Sequence, residues 1–575
     1  RKAMGFDDRK ARSMTDPVDN DPNMPDALEV AAKLDAEFAK TGKLVGPLHG
    51  VVVAIKDQFD TFDLRTTSGA DAAYANDRPP HDSTFAERLR AAGAIVIGKA
   101  AMGEYAGSYG GNRSSFGGTV VNPYDTERTP GASSAGSGVA VAANFCTVAI
   151  GEETSPSIRA PAQNNNAVGI SPTQELVSRI GMMNMGINTR IGPIARTVED
   201  AARILTVIAG YDPKDEMTAF NVGRTPDEPY ESFTHDTSLA GLRIGIVREY
   251  MDKSIATPAE AENLAITERA IEDLRKLGAT IVDPGPEGLF TEYVRRYNPM
   301  LSNSSWTKLY PERFPVDADG KPTTDQIATL VDLRFDPSKV PGKVTIRDFP
   351  PAQAVGETKY GFDIYLRERG DANIKDLGDL ITKATFYKDG QRTSPTSLIT
   401  ANDGMEMDTA VRLQRRFAIQ QIVLACMAEQ KLDAFVAPTG NVPPAKIAAS
   451  QGGGRGGARG GAARGGGLGG AGGLGTWSFL GQQGIPAITV PGGFTTEVYD
   501  RVPDPAAAAD GGAPATKLAG PFPAKLPGGI DFMGRPFSEP TLLKIAAAYE
   551  KATHHRMPPP DFGPVAGGVF AATAP

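Results

Sequence analysis

The chain is 575 residues long, 40% hydrophobic and 22% charged, with a net charge of −8. That composition supports a large buried core and excludes a disordered or fibrous chain, and the acidic balance argues against a dedicated nucleic-acid surface, which needs a basic face for phosphates. Cys146 and Cys426 are the only cysteines, so neither a disulfide framework nor a cysteine zinc site is expected.

The chain opens on Arg1 rather than Met, so an initiator segment, with a signal peptide as one option, is expected to have been removed or never included. Cytoplasmic and exported locations both stay open, with a lean towards export. The run Asp19-Asn20-Asp21-Pro22-Asn23 has a faint calcium-loop look, but Met24 stands where the loop needs Gly and Val30 where it needs Glu. Pro25 and Asp26 then open an amphipathic pattern closed by Gly42, a lead-in helix within a region spanning residues 1–45. Residues 46–575 are expected to form one domain.

From Gly46 to Asp215, short β-branched runs alternate with Ala-rich helical stretches: Val51 to Ile55, Phe85 to Ala92, Ala94 to Ile97, Val139 to Ala143. This alternation predicts an α/β layered domain. Leu242 to Val247 reads as a strand, Ala259 to Leu277 as a helix and Ala279 to Val282 as the next strand. Residues 285–400 are polar and interrupted by Pro, and are expected to supply helices and loops that wall a pocket. A helix from Asp408 to Gln430 leads to a strand at Ala434 to Ala437. Gly452 to Gly475 is nearly all Gly and Ala with Arg455, Arg459 and Arg464, a flexible surface insert that cannot pack a core. Its Arg-Gly repeats carry no interleaved aromatic residue for stacking on RNA bases, so no RNA-binding role is assigned to them. The domain resumes at Trp477, with a strand at Ala487 to Val490 and a closing helix at Thr541 to Thr553. No stretch has the roughly 20 apolar residues of a membrane span.

Three clusters carry the chemistry. Gly131-Ala132-Ser133-Ser134-Ala135-Gly136-Ser137-Gly138 sets serines among small residues before a helix, and Gly151-Glu152-Glu153-Thr154-Ser155-Pro156-Ser157-Ile158-Arg159-Ala160-Pro161 repeats the composition downstream. Taken alone, each is an ordinary turn or helix cap. Upstream, the apolar run Val51 to Ile55 ends in Lys56-Asp57, which makes a buried lysine or an exposed Lys-Asp pair.

Together, in order, these motifs resemble those of the amidase signature family. The likeness runs through Gly46-Pro47-Leu48-His49-Gly50 to Lys56-Asp57, Asn122-Pro123-Tyr124 to Gly138, Gly151 to Pro161, and Val168-Gly169 to Gly210. It weakens from Leu242 to Pro284 and returns at Gly484-Ile485-Pro486-Ala487 and Phe532-Met533-Gly534-Arg535-Pro536. The resemblance implies a large mixed, twisted β-sheet flanked by helices on both faces. It implies Ser157 as nucleophile, Ser133 as a bridging serine in a cis peptide, and Lys56 as base. Backbone N–H groups of Thr154, Ser155 and Ser157 would form the oxyanion hole, and Lys99 to Ser108 would line the acyl side. The chemistry agrees: a serine hydroxyl needs a base, a buried neutral lysine can be one, and a second hydroxyl can donate and accept at once.

The implied activity is cleavage of an amide carbon–nitrogen bond, with esters as a second class, through an acyl-enzyme. No cofactor and no metal is called for, since no HExxH and no His-carboxylate cluster occurs. The partner implied is a small-molecule amide substrate, with no nucleic acid and no membrane span, and a homodimer stays open. Two departures stand out: Ser155-Pro156 replaces a double glycine, so one N–H is lost, and Ala132 replaces a glycine. Three other readings compete. One is an α/β-hydrolase esterase with Ser134 in a nucleophile elbow and His235 or His554 as partner, although Thr126 to Pro130 is not the strand an elbow follows. The others are a catalytically silent binding protein and a glutaminase-type amidotransferase subunit.

Overall fold

The computed structural model describes residues 25–72, 79–106, 112–183, 185–296, 310–339, 355–385, 396–447, 480, 483–504 and 516–562. The calcium-like run at Asp19, the Gly-rich insert from Gly452 to Gly475 and Trp477 lie outside the described residues. Helix α1 (Ala27–Thr41) begins where a capping box allows it. Asp26 accepts from the Glu29 N–H at 2.9 Å and Glu29 accepts from the Asp26 N–H at 2.9 Å. The helix ends on Gly42, whose φ of +66° permits the left-handed cap. No residue of α1 is fully buried.

The centre is a ten-stranded sheet. Its strands in chain order are β1 (Val52–Lys56), β2 (Ile95–Ala100), β3 (Val148–Glu153), β4 (Val168–Ser171), β5 (Arg190–Ala195), β6 (Arg243–Ile246), β7 (Thr280–Val282), β8 (Ala434–Pro438), β9 (Ala487–Phe494) and β10 (Pro527–Met533). They lie side by side as β7-β6-β8-β10-β9-β4-β5-β3-β1-β2. Parallel triplets form the two ends, β2-β1-β3 and β7-β6-β8. Antiparallel pairs join them through the middle. The sheet is therefore mixed.

Helices cover both faces, and the pleat says which residues meet them, since successive side chains point to opposite sides. Ile488, Val490, Ile530 and Phe532 join a core shared with α6 (Ala261–Lys276) and α9 (Glu539–Thr553). Between them Thr489 and Asp531 turn the other way, towards α4 (Arg159–Asn164). Two more helices, α2 (Thr84–Ala91) and α5 (Val198–Ile208), bury Phe85, Leu89, Ile204 and Leu205 in the first core. A separate core forms around Phe290, Phe435 and the buried face of α8 (Ala410–Glu429).

Between residues 285 and 400 the described chain forms helices at Thr291–Arg296, Gln326–Phe335, Leu377–Lys383 and Thr396–Asn402, and α7 (Glu357–Arg369). Phe362 of α7 packs edge-on against Tyr105 with ring centroids 5.5 Å apart, and Tyr365 donates to Asp60 at 2.7 Å. This segment thus backs the chain between β1 and β3. The C-terminal ends of β1 and β3 lie side by side there, with Ile55 opposite Ile150, which brings Lys56 beside the Gly151-Glu152 step. Ligands of open α/β sheets gather at such strand ends.

Candidate active site

Lys56, the last residue of β1, is fully buried. Its ammonium position is 2.8 Å from Ser133 Oγ, 2.8 Å from Glu152 Oε2 and 3.3 Å from the Glu152 carbonyl oxygen. Burial pulls the Lys56 pKa below its usual value, and Glu152 and then Glu153 push it back up. Ser133 sits at the end of the loop before α3 (Ala135–Ala142), and its peptide bond to Ala132 is cis.

Two glycines let that loop lie against α4 and the start of α3 lie against the chain leaving β2. Gly131 has a φ of +86°, and a Cβ there would lie 2.6 Å from Pro161 N. Gly136 donates its N–H to the Ala101 carbonyl at 2.8 Å, and a Cβ there would lie 2.5 Å from Ala101 N and O. Ser134 Oγ is bonded on both sides by one residue: it accepts from the Glu152 N–H and donates to the Glu152 carbonyl, each at 3.2 Å. The hydroxyl that an elbow mechanism would need is thereby committed to backbone, and no histidine is among its partners.

Ser157 follows the loop off β3 and stands just before α4. It is 6% exposed, against 1% for Ser133, so of the two it is the more open to a ligand. Its carbonyl accepts from the Ser134 N–H at 3.3 Å. Among the described residues no hydrogen bond joins Ser157 Oγ to Ser133; Lys56 and Ser133 are in contact, and Ser157 is brought to the same loop pair without a bond to them. Catalytic hydrogen bonds often tighten only when substrate arrives.

The loop is anchored from below by charges the motif reading passed over. Glu153 accepts from Arg159 Nε and from Arg190 Nη2, both at 2.9 Å, and its other oxygen accepts from the N–H groups of Ile158 and Arg159 at 3.1 Å. Burial alone would raise the Glu153 pKa, but Arg159 and Arg190 hold it low. Arg159 also reaches Asp531 at 2.7 Å and the Ser155 carbonyl at 3.2 Å. A signal for this was present: Glu152-Glu153 at the end of an apolar run must find partners when buried, and Arg159 lies in the same motif.

A small cavity of about 30 Å³ opens beside the pair, lined by Gln58, Ser68, Tyr105, Glu152, Thr154 and Met183. Thr154 Oγ1 donates to Glu152 Oε1 at 2.9 Å. Tyr105 and Ala106 bring part of the segment from Lys99 to Ser108 to its wall, while residues 107 and 108 lie outside the described residues. His235 and His554 are exposed. Among the described residues no group of His, Cys, Asp or Glu could hold a metal ion, and no helix is long and apolar enough to cross a membrane.

A family model described as Amidase matches residues 16–304. The glutamyl-tRNA(Gln) amidotransferase A-subunit of Symbiobacterium thermophilum is 43% identical over 255 residues, 44% of this chain and 50% of that protein. Its counterpart in Gloeothece citriformis is 42% identical over 257 residues, again 44% and 50%. The chain spans about half the length of these curated relatives. Among solved structures, the native peptide amidase of Stenotrophomonas maltophilia superposes with a TM-score of 0.63 at 28% identity, over 93% of this chain and 89% of that one. An amidase family protein from Bacillus anthracis gives 0.62 at 22% identity over 92% and 83%, a likeness of fold.

Proposed function

The chain belongs to the amidase family, and we propose that it hydrolyses a linear amide carbon–nitrogen bond through an acyl-enzyme on Ser157, with Ser133 relaying protons to Lys56. The observation that carries this reading is the buried contact of 2.8 Å between Lys56 Nζ and Ser133 Oγ. A neutral Lys56 takes the Ser133 proton as Ser133 takes that of Ser157, and Ser157 Oγ attacks the acyl carbon. The N–H groups of Thr154, Ser155 and Ser157 meet the oxyanion, Pro156 having none to offer. The proton returns by the same route to the leaving amine, and water then releases the acyl group. An ester enters the same path with an alcohol as leaving group.

The substrate is read as a small amide, with residues 46–575 acting as one domain whose 285–400 segment walls the pocket. The likeness to peptide amidase over nine-tenths of the chain favours a stand-alone hydrolase. A second reading has its own support: the curated relatives at 43% and 42% identity are amidotransferase subunits. In that case ammonia from glutamine would pass to a partner protein.

Labelling with a serine-reactive fluorophosphonate, located by mass spectrometry, tests the assignment. Ser157 should carry the label, and Ser157→Ala should abolish both label and turnover. A label on Ser134 that survives Ser157→Ala sinks the reading. A panel of aryl, fatty, amino-acid and peptide amides beside glutamine then separates hydrolase from amidotransferase: release of ammonia from glutamine alone, with partner subunits co-purifying, favours the second.

A further inference from the structure

Three acceptors surround Lys56 Nζ: Ser133 Oγ at 2.8 Å, Glu152 Oε2 at 2.8 Å and the Glu152 carbonyl at 3.3 Å. An ammonium can donate to all three. A neutral amine has two N–H bonds and one lone pair, so one contact must reverse. A carbonyl and an ionised carboxylate can only accept, whereas a hydroxyl can also donate. With Glu152 occupying both N–H bonds, the lone pair falls on Ser133, the one neighbour with a proton to give.

We infer that Glu152 is a positioning residue of this relay: its carboxylate and carbonyl together aim the Lys56 lone pair at Ser133, and its charge sets the pH range in which Lys56 is free to accept. The inference rests on the reading of Lys56 as base. Glu152 is itself held firmly. Its side chain is 2% exposed, Oε1 accepts from Thr154 Oγ1 at 2.9 Å, and its backbone N–H and carbonyl both engage Ser134 Oγ.

The other charges around the pair are already matched. Glu153 is turned to Arg159 and Arg190, and Asp57, next to Lys56 in the chain, accepts from the Thr67 N–H at 3.3 Å and lies 3.7 Å from Lys99. Glu152 is therefore the carboxylate whose removal changes what Lys56 feels most. Burial opposes the ammonium and Glu152 favours it. Without that charge, Lys56 would lose its proton at lower pH.

The test is the rate of Ser157 labelling by a fluorophosphonate as a function of pH, which needs no knowledge of the amide. Glu152→Gln keeps an acceptor and loses the charge: the acid limb should move down by about one pH unit, so labelling on that limb becomes about tenfold faster, with the plateau within a few-fold of wild type. Glu152→Asp keeps the charge and withdraws it by one methylene: the limb should stay, and the plateau should fall about tenfold. A limb unmoved in Glu152→Gln overturns the role of the charge. A plateau unmoved in Glu152→Asp overturns the aiming role, and this variant decides if the first does not fold. Ser133→Ala separates the two levels: wild-type labelling in that variant means the relay itself is wrong, whereas lost labelling there with unchanged Glu152 variants means only this inference is.

Discussion

Arg159 Nη1 meets Asp531 Oδ2 at 2.7 Å, joining the start of α4 to the middle of β10, with both side chains wholly buried. Asp531 is fixed in turn by the hydroxyls of Thr439 and Thr489, each at 2.6 Å. The loop that carries Ser157 thus rests on the centre of the sheet through one guanidinium.

Asp531→Asn should therefore cost about 3–5 kcal/mol, because it leaves the buried Arg159 and Arg190 sharing the single carboxylate of Glu153. The amide can keep its oxygen on Arg159 by turning its NH2 to the Thr439 and Thr489 hydroxyls, which can accept, so what the variant removes is the charge. Denaturant unfolding measures the loss, and fluorophosphonate labelling of Ser157 should slow in the folded fraction, since Arg159 also holds the Ser155 carbonyl. Unchanged stability would mean that Glu153 alone satisfies Arg159.

Asp60 provides a pH prediction. It is buried beneath Tyr365, and burial raises its pKa from 3.8 to about 6 against the pull of Arg369 and Lys99. The folded chain then binds this proton more tightly than the unfolded chain, so stability falls as pH rises from about 4 through 6 and the cost is complete above that. Asp60→Asn keeps an acceptor for Tyr365 and removes the cost. Relative to wild type it should gain stability across that window, approaching about 3 kcal/mol above it. A difference that does not vary with pH would show that Asp60 is ionised throughout.

Gly136→Ala should harm both fold and site. Its Cβ would meet Ala101 N and O at 2.5 Å, and backbone on both sides cannot swing aside as a long side chain can. Such overpacking typically costs about 1–3 kcal/mol. Relief requires α3 to lift, and Ser133 lies two residues before that helix, so labelling should fall along with the denaturation midpoint. A folded variant with normal labelling would show that the loop relaxes independently of α3.

The elements that could be read directly were those with local signatures. The capped ends of α1, the amphipathic run of α6 and the apolar runs of β1 and β9 all match the expected segments to within a few residues. β3 was obscured because it ends in Glu152-Glu153, and β10 because Pro527-Gly528-Gly529 and Asp531 break its apolar character. Both are buried throughout, and their carboxylates each draw at least one partner from far away in sequence: Lys56 for Glu152, Arg190 for Glu153, and Arg159, Thr439 and Thr489 for Asp531. The same holds at the site. Lys56, Ser133 and Ser157 stand in recognisable motifs, whereas the contact of Lys56 with Glu152 joins residues 96 apart and arises from the register of β1 on β3. Motifs point to candidate residues; strand register decides what those residues feel.

That register makes the outcome of Lys56→Met depend on Glu152. Methionine nearly matches the lysine side chain in volume, so packing alone predicts little loss. At pH values where Lys56 carries its proton, the variant nevertheless leaves the Glu152 carboxylate, 2% exposed, without its ammonium and with Thr154 Oγ1 as its remaining side-chain donor among the contacts described. Stranding one member of a buried pair costs about 3–5 kcal/mol, while replacing both members costs far less. Lys56→Met should thus be inactive and clearly less stable, and Lys56→Met/Glu152→Gln should stay inactive while recovering most of the stability. The double variant should also lose a pH slope. In the wild type the unfolded chain binds the Lys56 proton more tightly than the folded chain does, because burial lowers the folded pKa. Stability at this site therefore drops as pH falls from the unfolded value of about 10.4 towards the lowered one. Unfolding free energies of wild type and double variant, compared across the alkaline range, should differ most in favour of the wild type at the highest pH. Equal stability of the single and double variants would mean that loss of Lys56 does not strand Glu152, and that the pair acts on the relay without supporting the fold.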